Sequence, residues 1–71
     1  MKKINKRAAR KAYDNGVPVK IIPNLANPYH ELWRGYYEKA ECGLDFDKLC
    51  DYVLYYHGSD GCGRRLVYYI E

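Results

Sequence analysis

DFDKLCDYVLYYHGSDGCGRRLVYYI, residues 45–70, reads as a helix, a glycine-broken turn and a strand in direct succession. At about 100° per residue, Phe46, Leu49, Cys50, Val53, Leu54, Tyr56 and His57 share one side of a helix, and Asp47, Lys48, Asp51 and Tyr55 share the other. One face is apolar enough to lie on a core. Asp45 is placed to cap this helix, and Asp47 suits the positive end of its dipole. Gly58, Gly61 and Gly63 end the helical periodicity. Arg65 to Ile70 then reads as a strand with aromatic or branched apolar groups on both faces.

Upstream of this stretch, Cys42-Gly43 makes a turn and Glu31 to Lys39 is expected as a strand. Leu32, Arg34, Tyr36 and Glu38 fall on one of its faces, and Trp33, Gly35, Tyr37 and Lys39 on the other. Glu31, Leu32, Lys39 and Ala40 would tolerate a helix, but Gly35 beside paired aromatics favours a strand. Asn24 to Pro28 is a loop. Val17, Val19 and Ile21 alternate with Pro18, Lys20 and Ile22 in a short strand that Pro23 ends. Before it, Asn5 caps a first helix on which Ile4, Ala8, Ala9, Ala12 and Tyr13 oppose Lys3, Lys6, Arg7, Arg10 and Lys11. Asn15-Gly16 closes that helix.

The expected fold is a single α+β domain, residues 1–71, in the order α-β-β-α-β. It is a three-stranded, mainly antiparallel sheet with two helices on one face. Residues 1–4 are expected to be a disordered basic N-terminus. The last strand, being the most apolar, should lie centrally and beside the first. Pro18 is acceptable there only at the strand's first position or beside a gap in the ladder.

At 71 residues the chain is near the lower limit at which a core without metal or disulfide stabilises a fold, which leaves little room for an elaborate active site. Nine of its eleven aromatic residues are Tyr. Six of the twelve cations lie in Met1 to Lys11, with no acid among them; the remainder carries six cations against nine acids. The tail is basic and the body acidic. Three cysteines, Cys42, Cys50 and Cys62, cannot all pair within one chain. With no apolar run of membrane length and no secretory segment, this fits free thiols in a cytoplasmic protein without a membrane partner.

The paired tyrosines carry the strongest functional signal. Neighbours in a strand point to opposite faces, and two short helices can cover only one face of a sheet. Trp33, Tyr36, Tyr37 and Tyr69, with Arg64 and Arg65 at the rim, are therefore candidates for a protein-binding surface or for self-association as a homo-oligomer. The plainer reading is that the rings fill a small core and reach water with their hydroxyls. The cations Lys3, Lys6, Arg7, Arg10 and Lys11 could instead hold nucleic-acid phosphates, against the alternative of a solvated helix face.

Catalytic and metal readings are weaker. Gly58 to Gly63 contains GxxGxG, but it precedes a strand rather than the helix whose amino end would hold a phosphate. Cys42, Cys50, His57 and Cys62 fit no zinc-ligand spacing, and Cys50 and His57 lie about 10 Å apart along a helix, too far for a nucleophile and its base. No cofactor, metal or enzymatic activity is expected.

Taken together, NKRAARKAYDNGVPVKIIPN, NPYHELWRGYY, LDFDKLCDYVLYYH and GRRLVYYI resemble the short accessory proteins carried by phages and other mobile elements of gut bacteria. The resemblance covers nearly the whole chain but rests on weak phrases rather than a diagnostic motif, and it carries over no site residue. It implies a non-catalytic inhibitor or modulator of a host defence protein, of the anti-CRISPR kind, acting in the host cytoplasm by covering a functional surface. The basic first helix departs from what an acidic nucleic-acid mimic would require.

Overall fold

The computed structural model describes residues 1–24, 26–57 and 65–71, residue 57 for its backbone alone. Its elements are β1 (Lys2–Ile4), α1 (Lys6–Asp14), β2 (Lys20–Pro23), a 3₁₀ turn at Glu31–Trp33, α2 (Lys39–Cys42), α3 (Phe46–His57) and β3 (Leu66–Ile70). The three strands form one antiparallel sheet in the order β1-β3-β2, and two main helices pack on it. The expected α+β class and central last strand hold. The Gly58–Gly63 turn and Arg64 lie outside the described residues.

Both main helices start where a side chain can accept an orphaned N–H. The Asn5 Oδ1 accepts from the Ala8 N–H at 2.8 Å, and the Asp45 Oδ1 from the Lys48 N–H at 2.8 Å. Gly16, at φ +83°, follows the end of α1, and Gly43, at φ +68°, caps α2; both conformations are costly for residues with a Cβ.

The core forms on one face of the sheet. Tyr68 of β3 and Ile21 of β2 are paired across the ladder and so point the same way. Over them close Ala9 and Tyr13 from α1 and Phe46, Leu49, Cys50 and Val53 from α3. Phe46 lies between Tyr13 and Tyr68, with ring centroids 5.9 and 5.8 Å away, both tilted. Tilted pairs avoid stacking like-signed ring faces. The buried Tyr13 hydroxyl donates to the Leu44 carbonyl at 2.7 Å, and burial pushes its pKa up to about 12.

Two expectations are overturned. Residues 1–4 are not a disordered basic N-terminus: Lys2, Lys3 and Ile4 pair with Ile70, Tyr69 and Tyr68 as the sheet's third strand. Residues 31–39 are not a strand. Glu31–Trp33 is a 3₁₀ turn whose first free N–H, that of Leu32, is accepted by the His30 Nδ1 at 3.1 Å. Only Tyr37 touches a ladder, exchanging two backbone hydrogen bonds with Val19, the residue before β2. Val19 makes only this isolated bridge and β2 begins at Lys20, which leaves Pro18 outside the ladder.

The misplaced segment has a structural use. Ile22 and Lys20 point to the sheet face away from the helices, yet they are 1% and 5% exposed. Leu32, Trp33 and Tyr36 line a small hollow with Ile22, and the Lys20 Nζ sits 4.9 Å from the Tyr36 ring centroid. The second face, expected to stand open, is thus roofed over β2 by irregular chain. Val67 and Tyr69 on it are half-buried.

Candidate functional site

The long helix α3 divides the accessible surface into two flanks of opposite character. Its core side carries Phe46, Leu49, Cys50 and Val53, so Tyr52 and Tyr56 fall on one flank and Asp47, Asp51 and Leu54 on the other.

The first flank is aromatic. Tyr52 and Tyr56 are four residues apart, and their ring centroids lie 4.7 Å apart; Tyr55 meets Tyr56 edge-on at 4.9 Å. The three rings are 43, 78 and 61% exposed in chain order. Beside them Tyr37, Cys42, Leu44, Leu49 and Tyr52 line an apolar hollow of about 240 Å³. Burial raises the pKa of Tyr37, with Tyr52 and Cys42 adding to the shift. A neutral phenol therefore forms one wall of that hollow, and the half-exposed Cys42 carries a free thiol.

The second flank is charged. Here α1 meets α3: the Arg10 guanidinium donates to the Asp47 carboxylate at 2.7 Å while lying 5.1 Å from the Phe46 ring centroid. That hydrogen bond holds the Asp47 carboxyl below its ordinary range. Next to it a groove of about 650 Å³ opens between β1, the start of α1 and α3. Cys50 and Tyr68 are among the residues that line it; their thiol and hydroxyl lie 4.0 Å apart, and burial raises the pKa of both.

The sequence-derived candidates scatter across these surfaces. Trp33, Tyr36 and Tyr69 belong to the roofed second sheet face, Tyr37 to the aromatic hollow, and Arg65 to the groove. They do not form one patch. Of the basic set, Arg10 is engaged by Asp47, whereas Lys3, Lys6, Arg7 and Lys11 are exposed and have no ion pair among the described residues. Tyr52, Tyr55 and Tyr56 were not candidates. Their 52-55-56 spacing is an i, i+3, i+4 stripe, and it was the signal available.

No group of three or more metal-ligating side chains occurs among the described residues, and no described helix is long and apolar enough to cross a membrane. Comparison with family models, with curated proteins and with solved structures finds no match to this chain.

Proposed function

We propose that this chain is a non-enzymatic binding protein that acts by protein–protein contact, seating the aromatic flank of α3 on its partner. The observation that carries this reading is the cluster of Tyr52, Tyr55 and Tyr56, three large rings held mainly against one another and left in water beside an apolar hollow. Tyrosine brings contact area with few rotatable bonds and a hydroxyl that tolerates both water and partner, and interface energy concentrates in such anchors. The effect on the partner is occupancy, not chemistry. The resemblance to phage accessory proteins supports a host defence protein as that partner, inhibited or modulated by coverage.

The test is capture from host lysate by the wild-type chain and by a Tyr52→Ala/Tyr56→Ala variant, followed by affinity measurement on the recovered partner. Loss of two anchors should weaken binding at least about tenfold while the circular dichroism spectrum is unchanged. Equal affinity in a folded variant would sink the reading.

A second reading, nucleic-acid binding through α1, is favoured by Lys6, Arg7 and Lys11, which are exposed and have no ion pair among the described residues. It requires affinity that falls steeply with salt and is lost on Arg7→Glu. A salt-independent gel shift excludes it.

A further inference from the structure

The helices pack on one face of the sheet, and strand register fixes what stands on the other. Lys3 of β1 and Lys20 of β2 lie directly opposite Tyr69 of β3, one on either side, while Ile4, Ile21 and Tyr68 point towards the helices. Val67 and Ile22 form the next pair on the outer face. The ladder runs one residue further: the Arg65 carbonyl accepts from the Asn24 N–H at 2.8 Å, so alternation places Arg65 with Val67 and Tyr69. Irregular chain roofs this face over β2. Over β1 and β3, Lys3 and Arg65 are exposed and Val67 and Tyr69 half-buried.

Cations outnumber acids here. Lys3, Lys20 and Arg65 share the described face of the sheet with Glu71, one residue past β3. Lys20 is the telling member. It is 5% exposed yet has no ion pair among the described residues, and its Nζ sits instead 4.9 Å from the Tyr36 ring centroid. Charges taken out of water are ordinarily paired, and one matched only by a ring leaves a positive field that a low-dielectric surrounding screens poorly. An anion laid on this face would balance it.

We propose that this face binds single-stranded nucleic acid, with a base stacked on the Tyr69 ring and backbone phosphates held by Lys3 and Arg65. Lys3 stands beside the ring, Arg65 lies about 13 Å along the strand, and Lys20 adds its field from below. A ring set among cations on a sheet suits an unpaired strand, since every base has a π-face and every linkage a charge. Tyr36, across Lys20, offers a second ring. A duplex hides its base faces and cannot use Tyr69. A second copy laid face to face would set cations against cations, and an acidic peptide would use the charges but not the ring. The surface is separate from the cationic side of α1 and from Tyr52, Tyr55 and Tyr56, so it rests on neither reading above.

The experiment is fluorescence anisotropy of a labelled short oligothymidylate titrated with the full chain, with duplex DNA and polyglutamate as competitors. Saturable binding is expected, its log affinity falling against log salt by about 0.7 for each phosphate held. Tyr69→Leu keeps apolar bulk at a half-buried position and should weaken binding about tenfold, the loss of one stacked base. Tyr69→Phe, which keeps the ring, should bind as wild type. Lys3→Gln, at an exposed position that folding does not depend on, should lower the salt slope by about 0.7, and Arg7→Gln on α1 should leave it unchanged. The site is overturned by absence of saturable binding, by wild-type affinity in Tyr69→Leu with an unchanged circular dichroism spectrum, or by duplex or polyglutamate competing as well as the single strand. A slope lowered by Arg7→Gln and not by Lys3→Gln also overturns it and moves the contact to α1.

Discussion

The two flanks of α3 share one helix and one core but differ in what their fold leaves unfinished. On the charged flank, the contacts are made within the chain: Arg10 reaches from α1 to Asp47 and lies along Phe46, so charge is partly consumed by tertiary structure. On the aromatic flank, Tyr52, Tyr55 and Tyr56 find chiefly one another. Exposed charge is ordinary on a soluble protein and says little about partners, whereas clustered exposed rings cost hydration free energy unless something covers them. The contrast favours the aromatic flank over the charged one for macromolecular contact.

The most disruptive way to break this comparison is to remove what both flanks stand on. Phe46 is fully buried between Tyr13 and Tyr68, and Phe46→Ala should cost about 3–5 kcal/mol. That approaches the whole stability available to so small a core, about 3–5 kcal/mol. Loss of the cooperative thermal transition in calorimetry is the expected outcome.

Next in size is a crossed measurement that separates the flanks. Tyr52→Ala/Tyr56→Ala should lower partner affinity at least about tenfold, while Lys6→Gln, on the other flank, leaves it unchanged. If Lys6→Gln lowers it as far in a folded protein, the flanks are not independent.

Titration gives a smaller, signed difference. Tyr13, Tyr68 and Cys50 have pKa values raised by burial, so the unfolded chain ionises them first. The stability from their neutral forms is complete below their ordinary values and is lost as pH rises. The midpoint of thermal unfolding should therefore fall from about pH 9 upward, where the thiol would ordinarily ionise. On the acid side the sign reverses. The lowered pKa of Asp47 favours the fold above the usual carboxylate range and ceases to do so as pH drops through its folded value.

The smallest effect is expected from Asp47→Asn. It breaks an exposed pair that salt screens. A slight drop in melting temperature at low ionic strength that vanishes in high salt is the expected result; a large, salt-insensitive drop would mean that Asp47 supports the core.

Local signals were legible wherever structure is locally decided. Asn5, Asn15-Gly16 and Asp45 mark helix ends by side-chain or backbone chemistry that involves only their neighbours, and all act as read. β3 was legible because its run of Val, Tyr and Ile has one use. Lys2–Ile4 was not, because three residues with two lysines have no strand signal of their own and become a strand only by pairing with β3. Tyr37 and Trp33 misled for the opposite reason: aromatic residues suit strands, but here they suit covering Ile22 and Val19 equally well, and only tertiary packing chooses. Tyr56 falls near the apolar half of the helical wheel yet is 61% exposed. A wheel gives direction, but it does not say how far along a helix the core extends.

The position of Leu66–Ile70 between its neighbours affects how the molecule comes into being. Lys2–Ile4 and Lys20–Pro23 do not pair with each other; each pairs only with this segment. During translation both outer strands leave the ribosome long before their common template does, and α1 emerges with its buried face unmet. The sheet then forms by closing two long loops at once, a step whose entropic cost favours slow, late assembly and makes the nascent fold dependent on the arrival of Leu66–Ile70.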